Sequence, residues 1–236
     1  MRTIVMAVCS MVLVAGGCQA AGNAYRVSHV PDAAIRIDGE LAEPVWRRAE
    51  ALTAFRDPWR GGGLPTEFRA CVDDQNLYFT FIVEDDSLRL EKGWQGEKTL
   101  DREDRVEIYF AVDARLEKYY CVEIDPEGRV HEFTGSFPRK WDNMWNLPGL
   151  KTAGRVSGKG YVVEGSVPLA ALHALGLPPL TSRRRWRMGL FRADMGTTAA
   201  DPVYWITWTD PRTPNPDFHV PAAFGAFQLG RRIPSE

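Results

Sequence analysis

Carboxylates and tryptophans are the side chains with the most chemical promise in this chain. Asp101, Glu103, Asp104 and Glu107 crowd into one short stretch. Two carboxyl groups can hydrolyse a glycoside when they flank the bond at a set separation across a cleft. Acids this near in sequence more readily form a solvated edge, or hold calcium through several oxygens. Asp73-Asp74 and Asp85-Asp86 flank one apolar run at its two ends. They read as turn residues, with structural calcium as their second use. The tryptophans raise a different question. WITWTDP (205–211) sets Trp205 and Trp208 three apart beside an Asp-Pro turn. An indole is a large apolar body with one N–H that needs a partner when buried. It serves a core, or it serves as a flat platform. Trp94 lies in a loop between glycines, and Trp141 and Trp145 in WDNMW anchor a loop or stack on a longer ligand.

Other chemistries lack their motifs. There is no zinc-type Cys/His spacing, no HExxH and no GxSxG, and Gly61-Gly62-Gly63 is not followed by the Lys-Ser/Thr of a phosphate loop. His29, His131, His173 and His219 are scattered, and a catalytic histidine needs a positioned partner.

The elements that must position these residues are short strands. Segments 105–110 and 119–124 alternate cleanly, putting Val106, Ile108 and Phe110 on one face and Arg105, Glu107 and Tyr109 on the other. Further strands are expected at 34–37, 67–72, 77–83, 129–134, 151–156, 161–167, 186–192, 204–208 and 224–229. Asp125-Pro126-Glu127-Gly128 and Ser157-Gly158-Lys159-Gly160 are hairpin turns. Short helices are expected at 43–50, with Pro44 in the first turn, and at 168–175. The pattern predicts an all-β fold, an antiparallel β-sandwich of about ten strands with one or two short helices. Along 204–208, Trp208 shares a face with Ile206, opposite Trp205. The two tryptophans therefore point to opposite sides, and Trp205 is assigned to the core.

The chain has 236 residues, 29 basic against 31 acidic side chains, and a net charge of -2. That balance gives no electrostatic basis for nucleic-acid binding. Residues 1–20 carry Arg2, an apolar run and then small residues, which is an export signal and too short for a span. Val14-Ala15-Gly16-Gly17-Cys18 fits lipidation of Cys18; cleavage near Ala20 is the alternative. The mature part, 24–236, reads as a single domain, exported to the periplasm or cell surface. Its contact with a membrane would be through a lipid anchor alone. Cys71 and Cys121 remain beyond the signal, either as a disulfide or as two buried thiols.

Eight segments in order resemble one family. They are IRIDGELAEPVW (35–46), VDDQNLYFTFIVED (72–85), EDRVEIYFAVD (103–113), YYCVEIDPEGRVHEF (119–133), GYVVEGSVPLAAL (160–172), WRMGLFRAD (186–194), WITWTDP (205–211) and FHVPAAFGAFQL (218–229). The chain resembles the family 9 carbohydrate-binding modules and their relatives, a DOMON-like β-sandwich group. The resemblance implies non-catalytic carbohydrate binding on a sheet face, in some members between two tryptophans. Trp208 stands at one of those positions, and Glu107 at a position that hydrogen-bonds sugar hydroxyls. The other tryptophan position falls at Asp101, and Trp94 replaces it if its loop folds inward. An arginine that touches sugar in some members falls at Cys121. Tyr109 shares the Glu107 side, and Arg192 either reaches the site or pairs with an acid. Glycan-degrading enzymes are the partners such a module would serve. The same group includes haem b electron-transfer domains, for which Met144, Met188, Met195 and His131 or His219 are candidate ligands. Glycoside cleavage by the acidic cluster is the remaining alternative.

Overall fold

The computed structural model describes residues 23–234, apart from 32, 64 and 199. The expected export signal, with Cys18 and Ala20, lies outside the described residues. The strands are β1 (Ala24–His29), β2 (Thr66–Val72), β3 (Asn76–Glu84), β4 (Arg105–Ala111), β5 (Tyr119–Ile124) and β6 (Val130–Ser136), then β7 (Lys140–Asp142), β8 (Lys151–Ser157), β9 (Gly160–Pro168), β10 (Arg185–Asp194), β11 (Tyr204–Thr207) and β12 (Gly225–Arg232). Two short helices, α1 (Pro44–Arg48) and α2 (Leu169–Ala174), and two 3-10 turns, Glu97–Arg102 and Pro221–Ala223, complete the elements. Among the described residues no helix is long and apolar enough to cross a membrane.

The twelve strands form one curled sheet in the order β7-β6-β5-β4-β10-β12-β1-β2-β3-β9-β8, with β11 added on β10. Curling brings the two halves together around one core. Phe79, Phe81 and Val163 from one half share it with Val106, Ile108, Phe110 and Val122 from the other. The sheet is mixed rather than purely antiparallel, because β1 runs parallel to both its neighbours, β12 and β2. No hairpin turn connects β1 to either strand, so nothing forces the antiparallel direction. Its buried Tyr25 holds the seam: the hydroxyl accepts the Ala70 N–H at 2.8 Å and donates to the Glu50 carbonyl at 2.7 Å.

Segment 34–37 is not a strand. Its apolar side chains Ile35 and Ile37 pack beside Trp46 and Tyr78, but its central donor, and those of the turn after it, go to carboxylates instead of a ladder. The Arg36 N–H reaches Glu43 at 3.0 Å, and those of Asp38 and Gly39 reach Glu164 at 3.0 and 2.9 Å. The predicted turn at 125–128 does form. The Asp125 carboxylate accepts the N–H groups of Glu127 and Arg129, both at 2.9 Å. Gly128 there has φ +82 and lies so near β8 that a Cβ would sit 2.6 Å from the Gly154 nitrogen. Cys71 and Cys121 are buried free thiols, packed in separate clusters on β2 and β5.

β4 is buried along its whole length, so both its faces are committed. One faces the main core. The other faces a second cluster of Tyr109, Tyr119, Phe133, Phe191 and Phe224. Trp208 belongs to the main core, with 7% of its surface exposed. Its ring occupies the space of an absent side chain: a Cβ on Gly225 would meet it at 2.4 Å. Truncating a buried tryptophan removes apolar contact and leaves a cavity, costing about 3–5 kcal/mol. Trp208→Ala should lower unfolding free energy by about that much in urea titration; a loss of under ~1 kcal/mol would contradict core placement.

Candidate functional site

A cleft of about 220 Å³ opens over the second face of β4. That is smaller than the roughly 300–1,000 Å³ of drug-sized sites and suits a single small ring. Its floor comes from strand alternation and register. Arg105, Glu107 and Tyr109 project from one side of β4. Glu107 pairs with Glu123 on β5, and Glu123 with His131 on β6. On the other flank Ala193 of β10 lies opposite Arg105 and next to Trp205 of β11. The small Ala193 leaves room between the arginine and the indole, and the Arg105 guanidinium lies 5.6 Å from the Trp205 ring centre.

The far wall is a loop at 216–219, and two buried or half-buried groups hold it and Trp205 in place. The Asp57 carboxylate caps the turn at Trp59 and Arg60, with both N–H contacts at 2.8 Å, and accepts the Trp205 N–H at 3.1 Å. The Trp59 indole donates to the Thr213 carbonyl at 2.9 Å. Phe218 then stacks on Phe191 at 4.2 Å and meets Trp205 edge-on at 5.6 Å. Arg139 closes the mouth through an ion pair to Asp217 at 2.9 Å.

Electrostatics on the floor are tightly balanced. Arg105 Nε donates to Glu107 at 2.9 Å and lies 3.5 Å from Glu123. The Tyr109 hydroxyl donates to Glu107 at 2.6 Å and lies 3.4 Å from Glu123. His131 Nδ1 contacts Glu123 at 3.0 Å. Burial, and then the Glu123 charge, push the Glu107 carboxyl up to about 7. Burial also pushes on Glu123, but the Arg105 charge and the His131 hydrogen bond outweigh it and hold that carboxyl below its ordinary range. Burial lowers His131, yet the hydrogen bond and charge of Glu123 win and raise it. His219, buried in the aromatic cluster, is pushed down to about 4, chiefly by burial. The cleft thus offers carboxylate acceptors for hydroxyl donors beside an apolar ring face.

The expected residues distribute unevenly. Glu107 and Tyr109 come together on the floor. Asp101 is exposed and reaches the edge of the group, 3.9 Å from His131 Nδ1. Trp208 and Trp205 fall on opposite faces with their assignments reversed: Trp208 is core, and Trp205 lines the cleft. Trp94 does not form the opposing wall. It is 41% exposed and carries the Arg129 guanidinium at 5.1 Å from its ring centre, outside the cleft. Arg192 is paired across from Val106 on the core face; buried there, it bridges Asp85 at 2.9 Å and Asp194 at 3.0 Å. Sequence reading did not assign Arg105, Glu123 or Arg139 to the sugar site, and named His219 only as a candidate haem ligand. The alternation that found Glu107 already put Arg105 beside it; Glu123 needed the cross-strand register, and Arg139 and His219 needed the loop packing.

The calcium candidates behave mostly as turn acids. Asp73 accepts from the N–H groups of Gln75 and Asn76 and from the Tyr78 hydroxyl, and Asp74 contacts His29 at 3.1 Å. Asp86 lines a separate shallow groove. Asp85 does gather with Asp104 and Asp194 at ligand spacing, all buried. Arg192 supplies positive charge to two of these acids, and burial pushes Asp104 up to about 7. The trio therefore carries its own neutralisation. A second group with ligand spacing is Asp101, Glu123 and His131, beside the cleft, where Arg105 already neutralises Glu123. For haem, Met188 is sealed in the core and Met144 is 89% exposed, while His131 and His219 are engaged by Glu123 and Tyr119.

The Glu107 carboxyl gives a sign-definite pH effect. Its folded value of about 7 exceeds the ordinary 4.5. Its contribution to stability is whole below about 4.5 and is lost as pH rises through about 7. The melting temperature of the wild type should therefore fall between pH 5 and pH 7.5, because Glu107 and Asp104 together outweigh His219, whose lowered value adds stability as pH rises toward 6.5. Glu107→Gln should reduce that fall without abolishing it, because Asp104 titrates in the same window and direction. Parallel melting profiles for the two proteins would refute the assignment.

The family model described as carbohydrate family 9 binding domain-like matches residues 37–232. No curated protein matches the chain. Among solved structures, the chain is similar to a candidate carbohydrate-binding protein from Bacteroides uniformis, with 17% identity and a TM-score of 0.70 over 89% of this chain and 100% of that one. It is also similar to a family 9 carbohydrate-binding module from Caldicellulosiruptor kristjanssonii in complex with glucose, at 18% identity and a TM-score of 0.65, over 89% and 97% of the two chains. The same kind of module from that organism in complex with cellotriose gives 16% identity and a TM-score of 0.64, over 89% and 95%.

Proposed function

Because the chain belongs to the carbohydrate family 9 binding domain-like family, we propose that it binds carbohydrate, without cleaving it, in the cleft between Trp205 and the Glu107–Glu123 pair. One observation carries the reading: an indole face and two buried carboxyl groups, neutralised by Arg105, share one small cleft on this fold. Sugars present apolar C–H faces that stack on aromatic rings, and their hydroxyls donate well to carboxylates. The likeness to modules in complex with glucose and cellotriose supports the ligand class. The two facing halves of the curled sheet act in this reading as the layers of a sandwich, with the binding face on one of them.

Geometry favours binding over hydrolysis. Glycoside cleavage places two carboxyl groups on opposite sides of the scissile bond, about 5–9.5 Å apart. Glu107 and Glu123 lie side by side on adjacent strands and approach the same Tyr109 hydroxyl, so both meet a ligand from below. The reading of residues 1–20 as an export signal supports a periplasmic or cell-surface location, with a lipid anchor if Cys18 is modified, where glycan-degrading enzymes would supply or share the ligands.

A glycan array with the wild type and Trp205→Ala tests this. The wild type should bind, and the variant should lose about 30-fold or more in affinity, as for a central aromatic contact, while keeping its melting temperature within a few degrees. Trp205→Leu, which retains apolar bulk, should also lose binding. An array on which the wild type binds nothing, or full binding by both variants, would overturn the proposal.

A further inference from the structure

The cleft has an outer neighbour that a single bound ring would leave unused. β7 pairs with the outer edge of β6, placing Trp141 opposite Gly135. Gly135 is needed at that place: a Cβ would strike the Tyr119 ring at 2.3 Å, so only glycine lets that ring lie across the strand. Trp141 then packs against a bed of rings. Its centre lies 4.4 Å from His219, 5.6 Å from Phe133 and 6.3 Å from Tyr119, at interplanar angles of 69°, 89° and 88°. His219 is itself a wall of the cleft, and Arg139, two residues before Trp141, is another.

These contacts fix the Trp141 ring, yet 42% of its surface stays open to water. Anchoring the hairpin accounts for the contacts, and the open part of the ring is a surface available to a ligand. A rigid, half-open indole contiguous with a binding cleft has the character of a stacking surface. Its continuity with the cleft through His219 points to an occupant that continues out of the cleft, which is a further unit of the same ligand.

We propose that Trp141 is an outer platform for a second or third saccharide unit, so that the site takes an oligosaccharide chain in preference to a lone sugar. This rests on the carbohydrate reading of the cleft. The experiment is calorimetric titration of the wild type, Trp141→Ala and Trp141→Tyr with matched probes: glucose and cellotriose, xylose and xylotriose, mannose and mannotriose. The wild type should bind one trisaccharide about 3- to 10-fold more tightly than its monosaccharide, the range of one aromatic contact. Trp141→Ala should bind that monosaccharide as the wild type does and lose the trisaccharide gain, whereas Trp141→Tyr should keep part of it. Unchanged monosaccharide affinity also certifies that the variant is folded. A trisaccharide gain that survives in Trp141→Ala, or is missing from the wild type, would overturn the outer platform and leave the cleft's function standing. A wild type that binds none of the probes would remove both.

Discussion

Two carboxyl groups held side by side away from water set the terms for one half of this molecule. Glu107 and Glu123 are direct cross-strand partners and both are buried. Like charges directly opposite on a sheet are destabilising, and buried charge without a partner is worse. The solution is local and shared. Arg105 comes from the same strand as Glu107, two residues before, and contacts both acids. Tyr109, two residues after, donates to the first. His131 reaches the second from β6. Arg105 and Tyr109 are legible as consequences of alternation, since a strand that places one acid on a face must place its neighbours at i−2 and i+2 there also; His131 depends on the register of β6 against β5. The unequal result, one carboxyl raised and the other lowered, follows from who gets which partner, since His131 serves Glu123 alone.

The same arrangement explains why β4 must lie inside the sheet. Its other face, Val106, Ile108 and Phe110, belongs to the main core. An edge strand would admit water to the acids and weaken every interaction on the floor. β5 and β10 flank β4 on its two sides, and β10 carries the mirror-image problem on the core face. There Arg192 sits among Asp85, Asp104 and Asp194. Two buried ionic clusters, on opposite faces of adjacent strands, each balance their own charge. One acid of the core-facing cluster, Asp194, lines the groove that Asp86 and Tyr204 share, whereas the other cluster puts two acids and the Trp205 ring in one cleft.

Much of this was legible in the sequence, and the failures have a common cause. Strands β2 to β6 and β8 to β12 follow the alternating runs closely, and the turns at 125–128 and 157–160 follow their proline and glycine. Alternation gives relative facing only. It separates Trp205 from Trp208 but cannot say which faces the core, because that depends on a space distant in sequence: the missing side chain of Gly225. Arg192 fails for the same reason, since its partner Asp85 arrives from another strand end. β1 hid beside the apolar N-terminal stretch of the sequence, although Tyr25 and Val27 alternate, and its pairing is entirely long-range. Segment 34–37 shows the converse. Its alternation was real and its side chains are packed, but Glu43 took the Arg36 donor that a strand would have spent on a neighbour, and Glu164 took those of the turn at Asp38 and Gly39. Trp94 lies in a loop, where no periodicity exists to fix its direction, and the cation that captured it is Arg129, in the turn of another hairpin.

The composition of the cleft also constrains what it selects. Three carboxyl groups, Glu107, Glu123 and Asp217, line it against two guanidinium groups, Arg105 and Arg139. Each guanidinium is already committed, Arg105 to the floor acids and Arg139 to Asp217. An incoming carboxylate would find no uncommitted cation here and would face like charge, so acidic sugars are disfavoured. Hydroxyl groups meet the opposite condition, because ionised carboxylates are acceptors only and need donors. One face of Trp205 lies toward Arg105 and its flank toward Phe218, so the aromatic surface is on one side of the cleft and the acceptors are on another. A flat ring with apolar C–H groups on a face and hydroxyls around its rim satisfies both walls at once. A wholly apolar ligand leaves the remaining acceptor capacity of the acids cut off from water, and a wholly polar one gains nothing from the indole.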